Sequence, residues 1–156
     1  WSARIAAEGE PGEPMRIEGT VRDGSGRAAS GVIVYAYHTD AGGIYPPAAT
    51  RHGRLRGWAQ TDEQGRYRFD TIRPGSYPSG TVPAHVHMHV IEPGCCTYSI
   101  DSIHFRDDPL LSGGGGPGRG GSGVVTSRRE GDDRWMVTRD IVLGQGVPGH
   151  PAASGG

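Results

Sequence analysis

Apolar and polar residues alternate along most of this chain in short runs, and turn residues separate the runs. Arg16-Ile17-Glu18-Gly19-Thr20-Val21-Arg22 alternates and stops at Asp23-Gly24-Ser25-Gly26, a dense group of turn formers. Gly31 to His38 reads as a second strand. Gly57 to Thr61 and Arg66 to Phe69 flank Asp62-Glu63-Gln64-Gly65, which predicts a hairpin. Ala84 to Glu92, Tyr98 to Phe105 and Arg134 to Leu143 complete the series. No segment longer than ten residues has the spacing of an amphipathic helix. The expected class is all-β, an antiparallel β-sandwich with long loops and little helix.

The alternation sets the domain plan. Residues 1–14 lack periodicity and read as an extended N-terminal arm, residues 15–143 as one sandwich domain, and 144–156 as a flexible tail. Residues 112–123 are almost all glycine and serine, which predicts a mobile surface loop between the last two strands. A chain of 156 residues with 34% hydrophobic content is enough for one core.

Charge and cysteine usage narrow the function classes. The net charge is -1 and every basic residue is arginine, so no basic field points to nucleic acid or an anionic membrane. No apolar run reaches membrane-spanning length. Cys95 and Cys96 are adjacent, and a bond between neighbours strains the peptide that joins them, so a structural disulfide is not expected and cysteine usage leaves the compartment open. The chain starts at Trp1, as a trimmed form or a mature form after signal removal does; secretion or a cytoplasmic location both fit.

Candidate chemistry concentrates in Pro83-Ala84-His85-Val86-His87-Met88-His89-Val90. On a strand, His85, His87 and His89 share one face, while Val86, Met88 and Val90 share the other. Imidazoles two residues apart can share one metal ion, though imidazole suits iron, copper, zinc and nickel alike. Tyr45, in Gly43-Ile44-Tyr45-Pro46, and Tyr77, in Gly75-Ser76-Tyr77-Pro78, lie in Gly-rich loops. Tyr35, Tyr37 and Tyr67 fall on strands, where packing explains them. His38, His52, His104 and His150 read as surface or loop histidines.

With these residues in place, the chain from about Gly19 to about Leu143 resembles the intradiol ring-cleavage dioxygenases, the family of protocatechuate and catechol dioxygenases. The resemblance is carried by Gly43-Ile-Tyr45, Tyr77-Pro78 and Pro83-Ala-His-Val-His87, with weaker support from Gly19 to Asp23, Thr61 to Phe69 and His104 to Leu110. It implies a ferric ion held by Tyr45, Tyr77, His85 and His87. Phenolates are hard anionic donors that favour Fe(III), and neutral imidazoles complete the shell. It further implies a catecholic substrate and O2, opening of the ring to a muconate-type diacid, and Tyr77 as the ligand that is released and serves as base. No nicotinamide or flavin is implied, and a homo-oligomer is allowed.

Two positions depart from the family pattern. Val82 stands where the family has an arginine near the substrate, and Ser102 where it has a glutamine. Arg54, Arg56 and Arg73 are the candidates to supply the missing cation. His89 has no counterpart among the ligands. Two other readings compete: a metal-binding homologue with little turnover, and a transthyretin-like sandwich acting as an interaction module.

Overall fold

The computed structural model describes residues 1–47, 52–113, 118–131 and 133–151. Among them there is no helix, and the strands fall into two sheets that enclose one apolar core. The first sheet contains β1 (Ser2–Arg4), β2 (Pro14–Arg22), β5 (Arg66–Ile72), β9 (Arg128–Glu130), β10 (Arg134–Thr138) and β11 (Ile141–Val142). Its order is β1-β5-β2-β10-β9, with β11 also paired to β2. The second sheet has the order β4-β3-β6-β7-β8, formed by β3 (Ile33–His38), β4 (Arg56–Gln60), β6 (His85–Glu92), β7 (Cys96–Phe105) and β8 (Val124–Val125).

The long strands pair antiparallel, as β2 with β5 and β6 with both β3 and β7. Short strands add parallel pairings at β1–β5, β2–β10, β2–β11 and β7–β8. Alternation decides what goes inside. Met15, Ile17, Val21, Tyr67 and Phe69 of one sheet meet Val34, Ala36, Val86, Met88 and Val90 of the other, all almost fully buried. Each of the larger aliphatic and phenylalanine side chains among them contributes about 1.5–3 kcal/mol by leaving water.

Several expectations are corrected by the tertiary arrangement. Asp62 to Gly65 is not a hairpin loop: β4 pairs with β3, and β5 pairs with β2 and β1, so the turn carries the chain from one sheet to the other. It is a tight turn, since the Asp62 carboxylate accepts the Gln64 and Arg66 amides at 3.0 and 2.9 Å, but local turn chemistry does not say which strands pair. Residues 1–14 are extended, and they are also built into the fold. Ser2–Arg4 extends the first sheet, and Ile5 and Ala6 are buried.

The glycine-rich stretch packs where it is described. Gly118 and Arg119 donate their amides to the Asp101 carboxylate at 2.8 and 3.1 Å, and Gly120 is buried against β7. A Cβ on Gly123 would lie 2.0 Å from the Ser102 carbonyl oxygen, so glycine here allows close approach rather than mobility. It also precedes four strands, not one. Residues 114–117 of that expected loop, and 152–156 of the expected tail, lie outside the described residues. Within the rest of the tail, His150 is held against Glu92 at 2.6 Å. Cys95 and Cys96 are bonded to one another, contrary to the expectation that neighbours do not bridge. Cys95 ends the reverse turn that joins β6 to β7, its amide donating to the Glu92 carbonyl at 3.0 Å, and Cys96 is the first residue of β7.

Candidate metal centre

The outer face of the second sheet carries the candidate residues. His85, His87 and His89 alternate with buried Val86, Met88 and Val90, as the sequence predicts. Opposite His87, β7 contains one extra residue, because pairing passes from Val86↔Ile103 to Met88↔Ile100. This bulge re-phases β7 so that Ile100, Ile103 and Phe105 all face the core. Ser102 belongs to the bulge.

Two loops bring tyrosines over this face. The first follows β3. Its Asp40 carboxylate accepts the amides of Gly42 and Ile44 at 2.9 and 3.1 Å, while the Asp40 amide donates to the Ile44 carbonyl at 2.7 Å. That closed turn fixes where Tyr45 leaves it. The second loop follows β5 and crosses the first in direct backbone contact. The Gly75 amide donates to the Asp40 carbonyl at 2.9 Å, and the Thr39 hydroxyl donates to the Gly75 carbonyl at 3.1 Å.

The result is a closed ring of donor atoms. Tyr45 Oη lies 2.9 Å from Tyr77 Oη, which lies 3.1 Å from His85 Nε2. His85 Nε2 lies 3.0 Å from His87 Nε2, and that atom lies 3.0 Å from Tyr45 Oη. Residues separated by up to 42 positions in sequence thus point their donor atoms at one spot. His89 is not in this ring; it packs beside Tyr35 and Tyr37.

Neighbours hold the imidazoles in orientation and protonation state. His85 Nδ1–H donates to the Pro83 carbonyl at 2.9 Å, which leaves the Nε2 lone pair facing the ring. The Asp108 carboxylate accepts the Ala84 amide at 2.8 Å and so anchors the segment before His85. His104, directly across the ladder from His85, stacks on it at 5.8 Å. Tyr37 is stacked between His52, at 3.9 Å, and His87, at 4.6 Å. Burial lowers the pKa of His87 to about 4, with His85 adding to the shift, and burial also lowers that of His85. Both imidazoles are therefore neutral donors at ordinary pH. Burial and the adjacent Tyr77 hydroxyl raise the pKa of Tyr45. Its deprotonation thus requires a cation nearby.

The donor set fits a hard, highly charged metal ion. Imidazole nitrogens and phenol oxygens converge at about 3 Å spacing, and a cation there would displace the protons that these atoms share.

His38, expected as a surface or loop residue, is fully buried below the Tyr45 loop. Its Nδ1–H donates to the Thr39 carbonyl at 2.6 Å, and its Nε2 accepts from the Thr71 hydroxyl at 2.6 Å. His52, His104 and His150 likewise have specific partners: Tyr35, His85 and Glu92. Tyr37, read from sequence as a packing residue, packs on a candidate ligand. Its place beside His87 across the β3–β6 pairing is the signal that strand register alone provides.

The arginine candidates separate. Arg54 is held by both oxygens of Glu10 at 2.6 and 2.9 Å. Arg73 is held by Asp107 at 2.6 Å and stacks on Phe105 and Trp135. Arg56 is the ladder partner of Tyr37 and lies over Trp58. Of the three, Arg56 is the one on the sheet face that carries the histidines.

The chain has relatives among known proteins. A family model described as Dioxygenase matches residues 2–114. The protocatechuate 3,4-dioxygenase beta chain of Burkholderia cepacia is 32% identical over 117 residues, covering 67% of this chain and 50% of that protein. The chlorocatechol 1,2-dioxygenase of Rhodococcus opacus is 32% identical over 122 residues, covering 65% and 47%. The chain thus spans about half the length of the curated relatives it matches. In fold, it is similar to the dioxygenase domain of a dioxygenase–carbohydrate-binding protein fusion from Streptomyces sp. SirexAA-E. The TM-score is 0.72 at 23% identity, over 90% of this chain and 85% of that one. Catechol 1,2-dioxygenase from Acinetobacter sp. ADP1 gives 0.69 at 22% identity, over 90% and 56%.

Proposed function

Since the chain belongs to the intradiol ring-cleavage dioxygenase family, we propose that it inserts both atoms of O2 into a catechol-type ring at a ferric ion held by Tyr45, Tyr77, His85 and His87. The observation that carries this reading is the closed ring of four donor atoms, each 2.9–3.1 Å from the next. When bound there, Fe(III) would act as a Lewis acid toward the substrate oxygens.

The chain's own residues divide the remaining work. Pro83 and Asp108 hold His85 in place, and Tyr37 supports the flat side of His87. Tyr77 is the better placed of the two tyrosines to move. It begins a turn, closed by the Gly80 amide on the Tyr77 carbonyl at 2.9 Å, whose residues Pro78 to Gly80 are exposed. Tyr45 instead follows the loop that Asp40 closes. A phenolate at Tyr77 can take the proton of a substrate hydroxyl arriving at the same spot. Arg54 and Arg73 are both engaged by carboxylates and position 82 is valine, which leaves Arg56, lying over Trp58, as the one of the three arginines on the histidine face. With valine at position 82, the expected substrate is an uncarboxylated catechol or hydroxylated relative.

The test is metal analysis of protein purified without chelators, a visible spectrum before and after catechol, and O2 uptake. A tyrosinate-to-iron band that shifts with catechol, with uptake and a muconate-type product, is the expected result. Protein that stays colourless after ferric reconstitution would overturn the site. A coloured protein without uptake would leave a metal-binding homologue, the reading that Val82 favours.

A further inference from the structure

At the opposite end of β6 from His85, about 20 Å away by strand rise, a second group of metal-ligating side chains converges. Glu92 ends the strand, Cys95 and Cys96 form the turn after it, and His150 returns from the C-terminal segment. One ligand atom from each of the four lies within 4.8 Å of the others. His150 Nε2 is 2.6 Å from Glu92 Oε2, and the Tyr98 hydroxyl donates to the same oxygen at 2.7 Å. Cys96 Sγ is 3.6 Å from it. The Gly144 amide donates to the Tyr98 hydroxyl at 3.1 Å, so the tail is folded onto this corner by its backbone as well. A cavity of about 210 Å³ opens here, lined in part by Cys96, Tyr98, Arg119 and His150.

A glutamate–histidine pair alone would be an ordinary ion pair. Two features separate this corner from that case. His150 is about nine-tenths buried, its Nε2–H donates to Glu92, and its Nδ1 has no hydrogen-bond partner, so a cation that takes the place of that proton can be met by an Nε2 lone pair with the ring proton moved to Nδ1. Both sulfurs are in reach of that nitrogen. Bonded to each other, they are neutral and poor ligands. Two electrons and two protons, supplied by a pair of small-molecule thiols that leave as their own disulfide, convert them into two cysteine thiols. These lose their protons when a metal binds.

We propose that the reduced protein holds a thiophilic divalent ion, of the zinc and cadmium class, on Cys95, Cys96, His150 and Glu92, and that the disulfide form does not. Two thiolates, one imidazole and one carboxylate form a tetrahedral set suited to such an ion. The hard phenolate–imidazole ring at the other end of the strand has a different preference, so the two sites do not compete for one metal. The ion would fasten residues 144–151 to the β6–β7 turn. The redox state of one bond would thereby set how firmly the C-terminal segment is attached. This inference is independent of the proposed dioxygenase activity.

The experiment is a Cd2+ titration of the full chain, as isolated and after dithiothreitol reduction with anaerobic desalting, followed by the ultraviolet thiolate-to-cadmium charge-transfer band. Tyrosine and histidine ligands do not give that band. Reduced protein is expected to show it, saturating at one equivalent, and the as-isolated disulfide form to show none. His150→Ala should weaken Cd2+ binding by roughly tenfold or more, and the double variant Cys95→Ser/Cys96→Ser should abolish the band. Should either variant fold poorly, the wild type carries the test by itself, because Cd2+ should slow amide exchange in residues 144–151 only after reduction. The proposal is overturned if reduced protein gives no band, if His150→Ala binds as tightly as wild type, or if exchange in the tail is indifferent to metal.

Discussion

A Cβ added to Gly43 would lie 1.7 Å from the carbonyl oxygen of Ser76, so the loops that carry Tyr45 and Tyr77 touch backbone to backbone at this point. Gly43 also has φ of 79°, in the region that side-chain-bearing residues rarely adopt. The contact sets the separation of the two phenol oxygens. Gly43→Ala should therefore push the loops apart, cost about 2–4 kcal/mol and dissolve the four-atom ring. Thermal unfolding and the intensity of the ferric–tyrosinate band, measured on the same preparation, check both consequences; unchanged values in both would show the contact to be slack.

His38 makes stability depend on pH. Burial lowers its pKa from 6.5 to about 4, so the unfolded chain binds this proton more readily than the folded one. Its contribution is complete above about pH 6.5 and falls as the pH drops toward 4. The shift corresponds to about 3 kcal/mol over that window. Urea unfolding of wild type and His38→Gln at pH 7.5 and 4.5 tests this. The variant should be less stable at pH 7.5, and should lose less between the two pH values.

Arg139 is almost wholly buried, and its guanidinium donates to the carbonyls of Gly120, Asp101, Arg119 and Asp140 at 2.6–3.3 Å. Its own carbonyl accepts from the Tyr67 hydroxyl. Arg139→Met would remove a donor from each of these carbonyls, of which Gly120 and Arg119 keep the amides of Val142 and Asp101, and a loss of about 3 kcal/mol is expected. Urea midpoints at constant m-value would measure it. Arg139→Lys should recover only part, because an ammonium cannot fork among these carbonyls.

Tyr77→Phe separates holding the metal from turning over substrate. The variant keeps Tyr45, His85 and His87, so iron content should fall only modestly and one tyrosinate band should remain. Loss of the base should lower kcat by roughly 10²–10⁴. Equal loss of metal and rate would instead make Tyr77 mainly a ligand.

Alternation alone placed His85, His87 and His89 on one face and Val86, Met88 and Val90 on the other, because on a strand burial repeats with period two and needs no partner to be identified. Turn chemistry located the loops of Tyr45 and Tyr77, and the absence of helical spacing left only β architecture among the described residues. Pairing was a different matter. The Asp62 turn looks the same whether it joins neighbours or crosses between sheets, and only the destination of β5 decides. Gly123, in the tract that composition suggested was mobile, proved to be a point of close approach, as did Gly43 and Gly75 in the tyrosine loops, since glycine permits both outcomes and the neighbouring backbone selects one. His38, Tyr37 and His150 gained their roles from Thr71, His87 and Glu92, residues 33, 50 and 58 positions away (71−38, 87−37, 150−92). The sequence by itself determined which faces and loops carry the chemistry, through local periodicity and turn propensity. The tertiary structure decided which of those side chains meet, because convergence depends on register, strand order and crossing loops that no local pattern encodes.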